Sequence, residues 1–327
     1  MLNAPRSAIS EAPRGGTPLG LSRRKFLTQS ALMALLCGAL PGDNRVERRE
    51  KLTPGQILRL LQEEGIAGAR SVEARVVPEN PAHVFLHIPQ YHSGLFMDRE
   101  AQRAVRASQA DIERILLDLQ KRFGVQEVYP ENMVPKNLAE NERFSMRDDP
   151  EKEFLDAIAF QRKLMEDARG RNTPEEHIRE MEHIGTRNIA EFERELAQVR
   201  RLGKDGYNRM RFEKMQRADA EFDAPLRLEL AGRMRRRLCG TDAALTRAGQ
   251  MREQHGLKHR AVTDDRENDA IATVLSQTVD PLLAVPYGAA HDFTNNIAEH
   301  NQRQPGRALA LVVAEPLSHA IIPLRTE

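Results

Sequence analysis

The spacing of apolar residues in the first part of the chain predicts short helices and strands in alternation. "TPGQILRLLQEEG" (53–65) has helical spacing between Thr-Pro and a closing Gly, which favours a short helix. Strands are predicted at 71–77 and 83–88, joined by the turn "PENPA", because both stretches alternate and carry β-branched residues. A long helix is expected over 98–123, from Asp98 to the Gly that follows, and then a strand over 125–131.

The middle of the chain, residues 140–256, has a different pattern, in which charged residues dominate while helical spacing continues. It predicts several long amphipathic helices, with breaks at Gly170, Thr173-Pro174, Gly203 and Pro225. The run "RMRRR" (233–237) fits a solvated face better than a surface for an acidic partner.

Strand-like patterns return towards the C-terminus. Strands are expected at 257–263, 281–288 and 307–316, a helix at 264–277, and a short helix at "FTNNIAEHN". Strand–helix alternation at both ends predicts an α/β fold with a partly parallel sheet and a long helical insertion. The implied organisation is a disordered N-terminus with an export signal (1–42), a first α/β half (43–139), the insertion (140–256) and a second half (257–327).

The two α/β halves resemble each other. The first has "VFLHIPQYHSG", a helix and the strand "VQEVYPE"; the second has "LLAVPYGAAHDF", a helix and the strand "RALALVVAEP". In each half a histidine, His92 or His291, follows the carboxyl end of an apolar strand, where open α/β sheets bind ligands. If the halves pack as neighbours in one sheet, the two histidines are expected to face each other across one crevice.

Composition excludes some classes of protein. Lys and Arg total 49 against 48 Asp and Glu, so the net charge of +1 argues against a basic nucleic-acid-binding protein. Two cysteines, Cys37 and Cys239, do not form a disulfide framework, and Cys239 is expected to be buried and inert.

The N-terminal segment is typical of an export signal. "SRRKFLT" (22–28) precedes "QSALMALLCGAL", an apolar run without an acidic residue. This pattern resembles a twin-arginine signal peptide, read by the twin-arginine export machinery and cleaved near Ala39. The run is shorter than the roughly 20 residues that span a bilayer, so no membrane span is expected in the mature protein, which is predicted to be periplasmic.

Two more residues fit the predicted crevice. Glu131 ends the strand "VQEVYPE", and Arg266 would open the helix after a strand ending at Val262, where a helix N-terminus favours anions. His92, His291 and a carboxylate would suit a divalent metal, or they would supply a general base with Arg266 stabilising an oxyanion. Each residue also has a purely structural interpretation. His92 and His291 would be ordinary loop histidines, Glu131 would cap the next segment, and Arg266 would form a structural ion pair. Gly288 leaves room for a ligand beside His291.

The other histidines fit ordinary roles. His83 and His87 share one strand face, which favours packing or surface positions. Gly256 interrupts the helical spacing of His255 and His259, and His177 lies in a charged helix, as does His183.

These residues resemble the TraB/GumN, Tiki, ChaN and erythromycin-esterase-like superfamily. "YGAAH" (287–291) matches its second motif, strand–Gly–x–x–His, whereas "PQYH" (89–92) matches the first motif, strand–Gly–Glu–x–His, only in its histidine. "YPEN" (129–132) and "TDDREN" (263–268) stand where the superfamily has a glutamate and an arginine. The likeness covers roughly 83–131 and 257–315, outside the charged middle.

The resemblance implies a catalytic set of His92, Glu131, Arg266 and His291, with a divalent metal at the two histidines and ligand contacts from Gln90, Gly288 and Asp292. Gln90 replaces the first-motif Glu and is not a good divalent-metal ligand. Members include a metal-dependent protease, an ester hydrolase, a haem-binding lipoprotein and pheromone-shutdown proteins. The sequence thus leaves open an exported hydrolase, a non-catalytic protein that binds haem, a peptide or another small ligand, and a helical interaction protein.

Overall fold

A six-stranded sheet organises the computed structural model, which describes residues 52–91, 98–131, 133–170, 174–255 and 260–318. Its spatial order is β1-β6-β2-β5-β3-β4. The strands are β1 Ala69–Val76, β2 His83–Gln90, β3 Glu127–Val128, β4 Arg235–Arg236, β5 Leu282–Gly288 and β6 Leu309–Pro316. Among the described strands, β1 pairs antiparallel with β6, and the other pairs are parallel. The predicted α/β class with a partly parallel sheet is therefore confirmed.

Helices cover both faces of the sheet and extend beyond it. They are α1 Pro54–Glu64, α2 Arg99–Phe123, α3 Pro135–Ser145, α4 Pro150–Gly170, α5 Glu175–Asp219, α6 Ala224–Leu230, α7 Asp242–His255, α8 Arg260–Gln277 and α9 Thr294–Arg303, with a 3-10 turn at Pro305–Arg307. Among these described helices, none is long and apolar enough to cross a membrane.

The predicted ends of the first two helices are confirmed, because their caps are visible in the sequence. The Thr53 hydroxyl accepts from the Gln56 amide, and the Gln56 side chain accepts from the Thr53 amide, so the two form a capping box at the start of α1. The Asp98 side chain accepts from the Ala101 amide and so caps the start of α2. Gly124 ends α2 in the left-handed conformation with φ 73°.

The two central strands position the candidate site. β2 and β5 pair in parallel from Val84↔Leu282 to Gln90↔Gly288, so their carboxyl ends lie side by side. Every residue of both strands is buried, which explains their continuous apolar runs. The prediction that the two histidine-bearing halves are neighbours in one sheet is confirmed for these strands.

Apolar clusters lie on both faces of the sheet. One contains Ile112 and Leu116 of α2, and the other contains Ile271 of α8 and Ile297 of α9. A third cluster joins α4 and α5 through Phe154, Ile158, Leu196, Val199 and Tyr207. The α4–α5 pair thus has a core of its own.

The middle segment is only partly an insertion. α6 places Ala224 and Leu228 in the cluster with α2, and β4 pairs in parallel with β3 in the main sheet. The prediction that this whole segment forms helices outside the sheet is wrong for this part. The predicted break at Gly203 is confirmed as a kink, since Gly203 has the non-helical angles φ 70° and ψ 168° between two helical stretches of α5. The expected boundary at 139/140 falls inside α3.

Three strand predictions need correction. Residues 260–263 belong to α8 rather than to a strand, and 257–259 lie outside the described residues. β3 has two residues rather than the predicted seven. β1 and β2 exist as predicted around "PENPA", but they do not pair with each other, because β6 lies between them.

Candidate functional site

The candidate site lies where β2, β3 and β5 end together. Gln90 is paired with Gly288 at the ends of β2 and β5. The Glu131 amide donates to the Pro286 carbonyl at 3.1 Å, so the chain beyond β3 follows β5 to the same edge. This is the edge at which parallel sheets bind ligands.

Glu131 is buried and held from two sides. Its Oε1 lies 2.6 Å from Nη2 of Arg266, and its Oε2 accepts from the Gly288 amide at 2.8 Å. A Cβ at position 288 would lie 2.8 Å from Glu131 Oε2 and 3.4 Å from Cδ2 of His291. Glycine is therefore required here so that the carboxylate can reach the strand end, and not only to leave room for a ligand.

Arg266 reaches the site from inside α8. The prediction that it opens a helix is wrong, because α8 begins at Arg260 and Arg266 lies in its second turn. The dipole of a helix N-terminus therefore does not explain this position. Its guanidinium lies 5.6 Å from the ring centroid of Tyr287, so a cation–π contact and Glu131 together orient it.

His291 lies between two carboxylates. Its Nδ1 is 3.0 Å from Oε1 of Glu267, and its Nε2 is 3.6 Å from Oε1 of Glu131, longer than a hydrogen bond. Because a carboxylate oxygen accepts the hydrogen bond, Nδ1 of His291 must carry the proton that it donates to Glu267. The Tyr287 ring packs edge-on against the imidazole at 4.6 Å. Burial alone would lower the pKa of His291, but Glu131 and Glu267 outweigh it and raise the pKa above its ordinary value.

Glu267 is the site residue that sequence reasoning missed. It is 2% exposed, and its Oε1 accepts from both His291 Nδ1 and the Asp292 amide, the latter at 3.1 Å. Its Oε2 is buried without a hydrogen-bond partner among the residues that the structure describes. A signal was present: Glu267 precedes Ala270, Ile271 and Val274 at helical spacing, which places a carboxylate on the buried face of α8.

A second histidine, His87, lies behind the site. Its ring contacts Phe293 at 5.2 Å, and Phe293 also contacts Tyr287. Its Nε2 donates to the Tyr287 carbonyl at 3.4 Å, because a carbonyl oxygen can only accept a hydrogen bond. Burial lowers the pKa of His87 to about 4. His87 is thus a neutral packing residue at neutral pH, in line with its predicted structural role. His83 is buried as well, and its Nδ1 donates to the Asp280 carbonyl at 2.6 Å.

Two residues predicted to contact a ligand are occupied within the fold. The Gln90 amide donates to the Pro286 carbonyl at 3.3 Å. Asp292 Oδ1 accepts from the Thr294 hydroxyl at 2.6 Å and pairs with Arg75 at 3.5 Å. These contacts tie Gln90 to β5 and Asp292 to the start of α9.

The other predicted histidine, His92, lies outside the described residues, so its distance from His291 stays a prediction. Within the described ranges, no group of three His, Cys, Asp or Glu side chains is arranged to hold a metal ion. Cys239 is buried, and burial raises the pKa of its thiol, which makes it a poor nucleophile.

Comparisons of the chain with protein-family models, with curated proteins and with solved structures found no match. The structure brings Glu131, Arg266 and His291 together with Glu267 and Tyr287. A cavity of about 10 Å³ lined by Glu131, Arg266 and Tyr287 is about the size needed for one water.

Proposed function

We propose that this chain is an exported hydrolase in which His291 is the general base. The observation that supports it most directly is the Glu267–His291 contact, which fixes the imidazole with a proton on Nδ1. Nε2 then faces the Glu131–Arg266 pair at the edge of the sheet. A base oriented by a buried carboxylate, next to a cation, is the arrangement used for acyl transfer to water.

The proposed reaction is hydrolysis of an ester or amide by direct attack of water. Neutral His291 accepts a proton from water at Nε2 while the water oxygen adds to the acyl carbon. The carbonyl oxygen becomes negative, and Arg266 stabilises it. The C–O or C–N bond then breaks, and the proton on Nε2 passes to the leaving group, which restores neutral His291.

Glu131 has a positioning role in this scheme. Both of its oxygens contact donors, Arg266 and the Gly288 amide, so the pair holds the guanidinium beside His291. The proposed role agrees with the expected superfamily pattern, in which a glutamate and an arginine accompany the second histidine motif. A divalent metal shared by His92 and His291 is an alternative to this scheme, because Nδ1 is protonated and the metal would take the Nε2 lone pair that the base uses.

The test of this proposal is hydrolysis of chromogenic carboxylic esters and peptides by the purified mature protein. His291→Gln is expected to lower the rate at least about a hundredfold, the usual contribution of a general base. The control is His177→Gln, which changes an exposed histidine of α5. Activity should rise with pH through the raised pKa of His291, because only the neutral imidazole accepts a proton.

A non-catalytic protein that binds haem or a peptide is the second candidate. It is favoured by Gln90, which is neutral where the superfamily has a glutamate and donates its amide to the Pro286 carbonyl. Saturable haem or peptide binding without hydrolysis of any ester would establish this candidate and overturn the first. A rate for His291→Gln equal to that of the unchanged protein would also exclude the proposed base.

The proposed export rests on residues 22–40, which lie outside the described residues. Changing Arg23 and Arg24 together to Lys should keep the precursor in the cytoplasm, because twin-arginine machinery reads the arginine pair. Immunoblots of periplasmic and cytoplasmic fractions measure this, and Arg6→Lys with Arg14→Lys, in the preceding segment, is the matched control. Unchanged periplasmic levels of the Arg23/Arg24 variant would contradict the twin-arginine assignment.

A further inference from the structure

A second concave site lies between α8, α9 and the 3-10 turn. It is a groove of about 380 Å³. Ile271, Ala272 and Leu275 of α8 form its apolar side, and its lining also includes His300 and Arg303 of α9 and Arg307 of the turn. The volume falls in the lower part of the range of small-molecule sites, about 300–1,000 Å³.

The basic side chains at this groove leave a positive charge. Arg303 pairs with Glu299 at 2.5 Å, whereas Arg307 has no ion pair with any acid in the described ranges. Arg307 instead donates from Nη2 to the Leu275 carbonyl at 3.0 Å, which holds its guanidinium at the end of the groove. No Asp or Glu is among the residues of the described segments that line the groove.

The electrostatics at His300 also indicate a positive potential in the groove. Its Nε2 donates to the Arg307 carbonyl at 3.1 Å, which makes Nδ1 the acceptor of the neutral ring. Burial lowers the pKa of His300, and the positive charges of Arg307 and Arg303 lower it further. The groove therefore has a positive potential that the imidazole does not itself create.

We propose that this groove binds a small amphiphilic anion, with a carboxylate or phosphate head on an apolar body. The guanidinium of Arg307, beside that of Arg303, suits a planar or tetrahedral anion, which arginine binds through paired donors. The apolar body would lie along α8 over the exposed Ala272 and against the small exposed parts of Ile271 and Leu275, which are 3% and 6% exposed. Ligand sites commonly combine such apolar walls with a few polar groups. This inference is independent of the proposed hydrolysis.

Isothermal titration of the full chain with sodium octanoate tests the proposal, and 1-octanol is the uncharged probe with the same apolar body. Octanoate should bind at least about tenfold more tightly than 1-octanol, since a charge-assisted hydrogen bond is lost with the head group. Arg307→Gln should weaken octanoate binding by about tenfold or more. The methyl NMR signals of Ile271 and Leu275 should shift with octanoate.

Two further variants keep the result interpretable. Arg303→Gln removes the other guanidinium at the groove, which has no bond to Leu275, so it tests the charge if Arg307→Gln unfolds. Arg209→Gln, on an exposed position of α5, is the control and should leave the affinity unchanged. Octyl phosphate and inorganic phosphate separate the amphiphile from a bare anion.

Each outcome decides the question. Stronger binding of octanoate or octyl phosphate than of 1-octanol and inorganic phosphate, weakened by Arg307→Gln or Arg303→Gln, supports the site. Equal binding of 1-octanol, equal binding of inorganic phosphate, an equal loss in Arg209→Gln, or no shift at Ile271 and Leu275 would each overturn it.

Discussion

At the scale of single residues, the site is a balanced set of buried charges. Glu131 and Glu267 are two carboxylates, and Arg266 with protonated His291 would supply two positive charges in contact with them. A buried charge without a partner costs several kcal/mol of stability. Removing one member of the set would therefore leave its partner buried and uncompensated. This balance explains why the pKa of His291 is raised despite burial. Deprotonation of His291 would leave one negative charge in excess.

Gly288→Ala is predicted to disrupt this balance without adding or removing a charge. The new Cβ would lie 2.8 Å from Glu131 Oε2, so the carboxylate must move away from the strand end and from His291. We expect a loss of about 1–3 kcal/mol in the free energy of unfolding, as for other overpacked sites. The pKa of His291 should fall, which histidine NMR titration measures.

Gly249→Ala is the matched control, because Gly249 lies in α7 with open space at its Cβ position. It should be neutral or stabilising by up to about 1 kcal/mol. A Gly288→Ala protein with unchanged stability and an unchanged His291 titration would show that Glu131 is not held as described.

At the scale of elements, helices and strands with a strong local sequence pattern were predictable. Elements whose structure depends on long-range contacts were not. Capping residues and apolar spacing predicted α1, α2 and β5, because their signals lie within the element itself. Residues 260–263 were predicted as strand, but they form the first turn of α8. "RAVT" mixes apolar and β-branched residues that suit either structure, and only packing of α8 on the sheet decides between them.

The same limit applies to the candidate site. Glu131, Arg266 and His291 were found because each lies near a strand end or a recognisable motif. Glu267 was missed because its importance depends on where α8 packs. β3 and β4 are two-residue strands whose pairing depends on neighbours far apart in sequence. Long-range pairing of this kind leaves almost no local pattern in the sequence.

The kink of α5 gives a prediction at this scale. Gly203 has φ 70° and ψ 168°, a region that is essentially restricted to glycine. Gly203→Ala should therefore cost about 1–3 kcal/mol in free energy of unfolding, or straighten α5 and pull Val199 and Tyr207 apart in their cluster. Chemical denaturation measures the first outcome, and Tyr207 fluorescence the second. The conformationally neutral Gly249→Ala again serves as the control, and equal effects of the two changes would contradict the role of the kink.

At the scale of the whole molecule, two buried histidines impose opposite pH dependences on one fold. Glu131 and Glu267 raise the pKa of His291, so its contribution to stability is complete below the unfolded value of about 6.5 and is lost as pH rises through the folded value. His87, next to the Phe293 ring, has its pKa lowered by burial instead. The protein should therefore be most stable near the unfolded pKa of histidine, about 6.5, with His291 lowering the stability above it and His87 lowering the stability below it.

The acid side of this optimum is a test of His87. Its folded pKa is about 4 against 6.5 for the free side chain, so the unfolded chain binds a proton that the folded protein excludes between these values. Stability should fall by about 3 kcal/mol as pH decreases through this window, in addition to any loss from carboxylates.

His87→Gln keeps a donor for the Tyr287 carbonyl but cannot take up the proton. Urea unfolding at pH 7 and pH 4 should therefore show a drop that is smaller by that amount in His87→Gln, whereas His177→Gln should keep the drop of the unchanged protein. If His87→Gln lost as much stability as the unchanged protein, His87 would have to be accessible to protons in the folded state, and the packing of β2 against Phe293 would need revision.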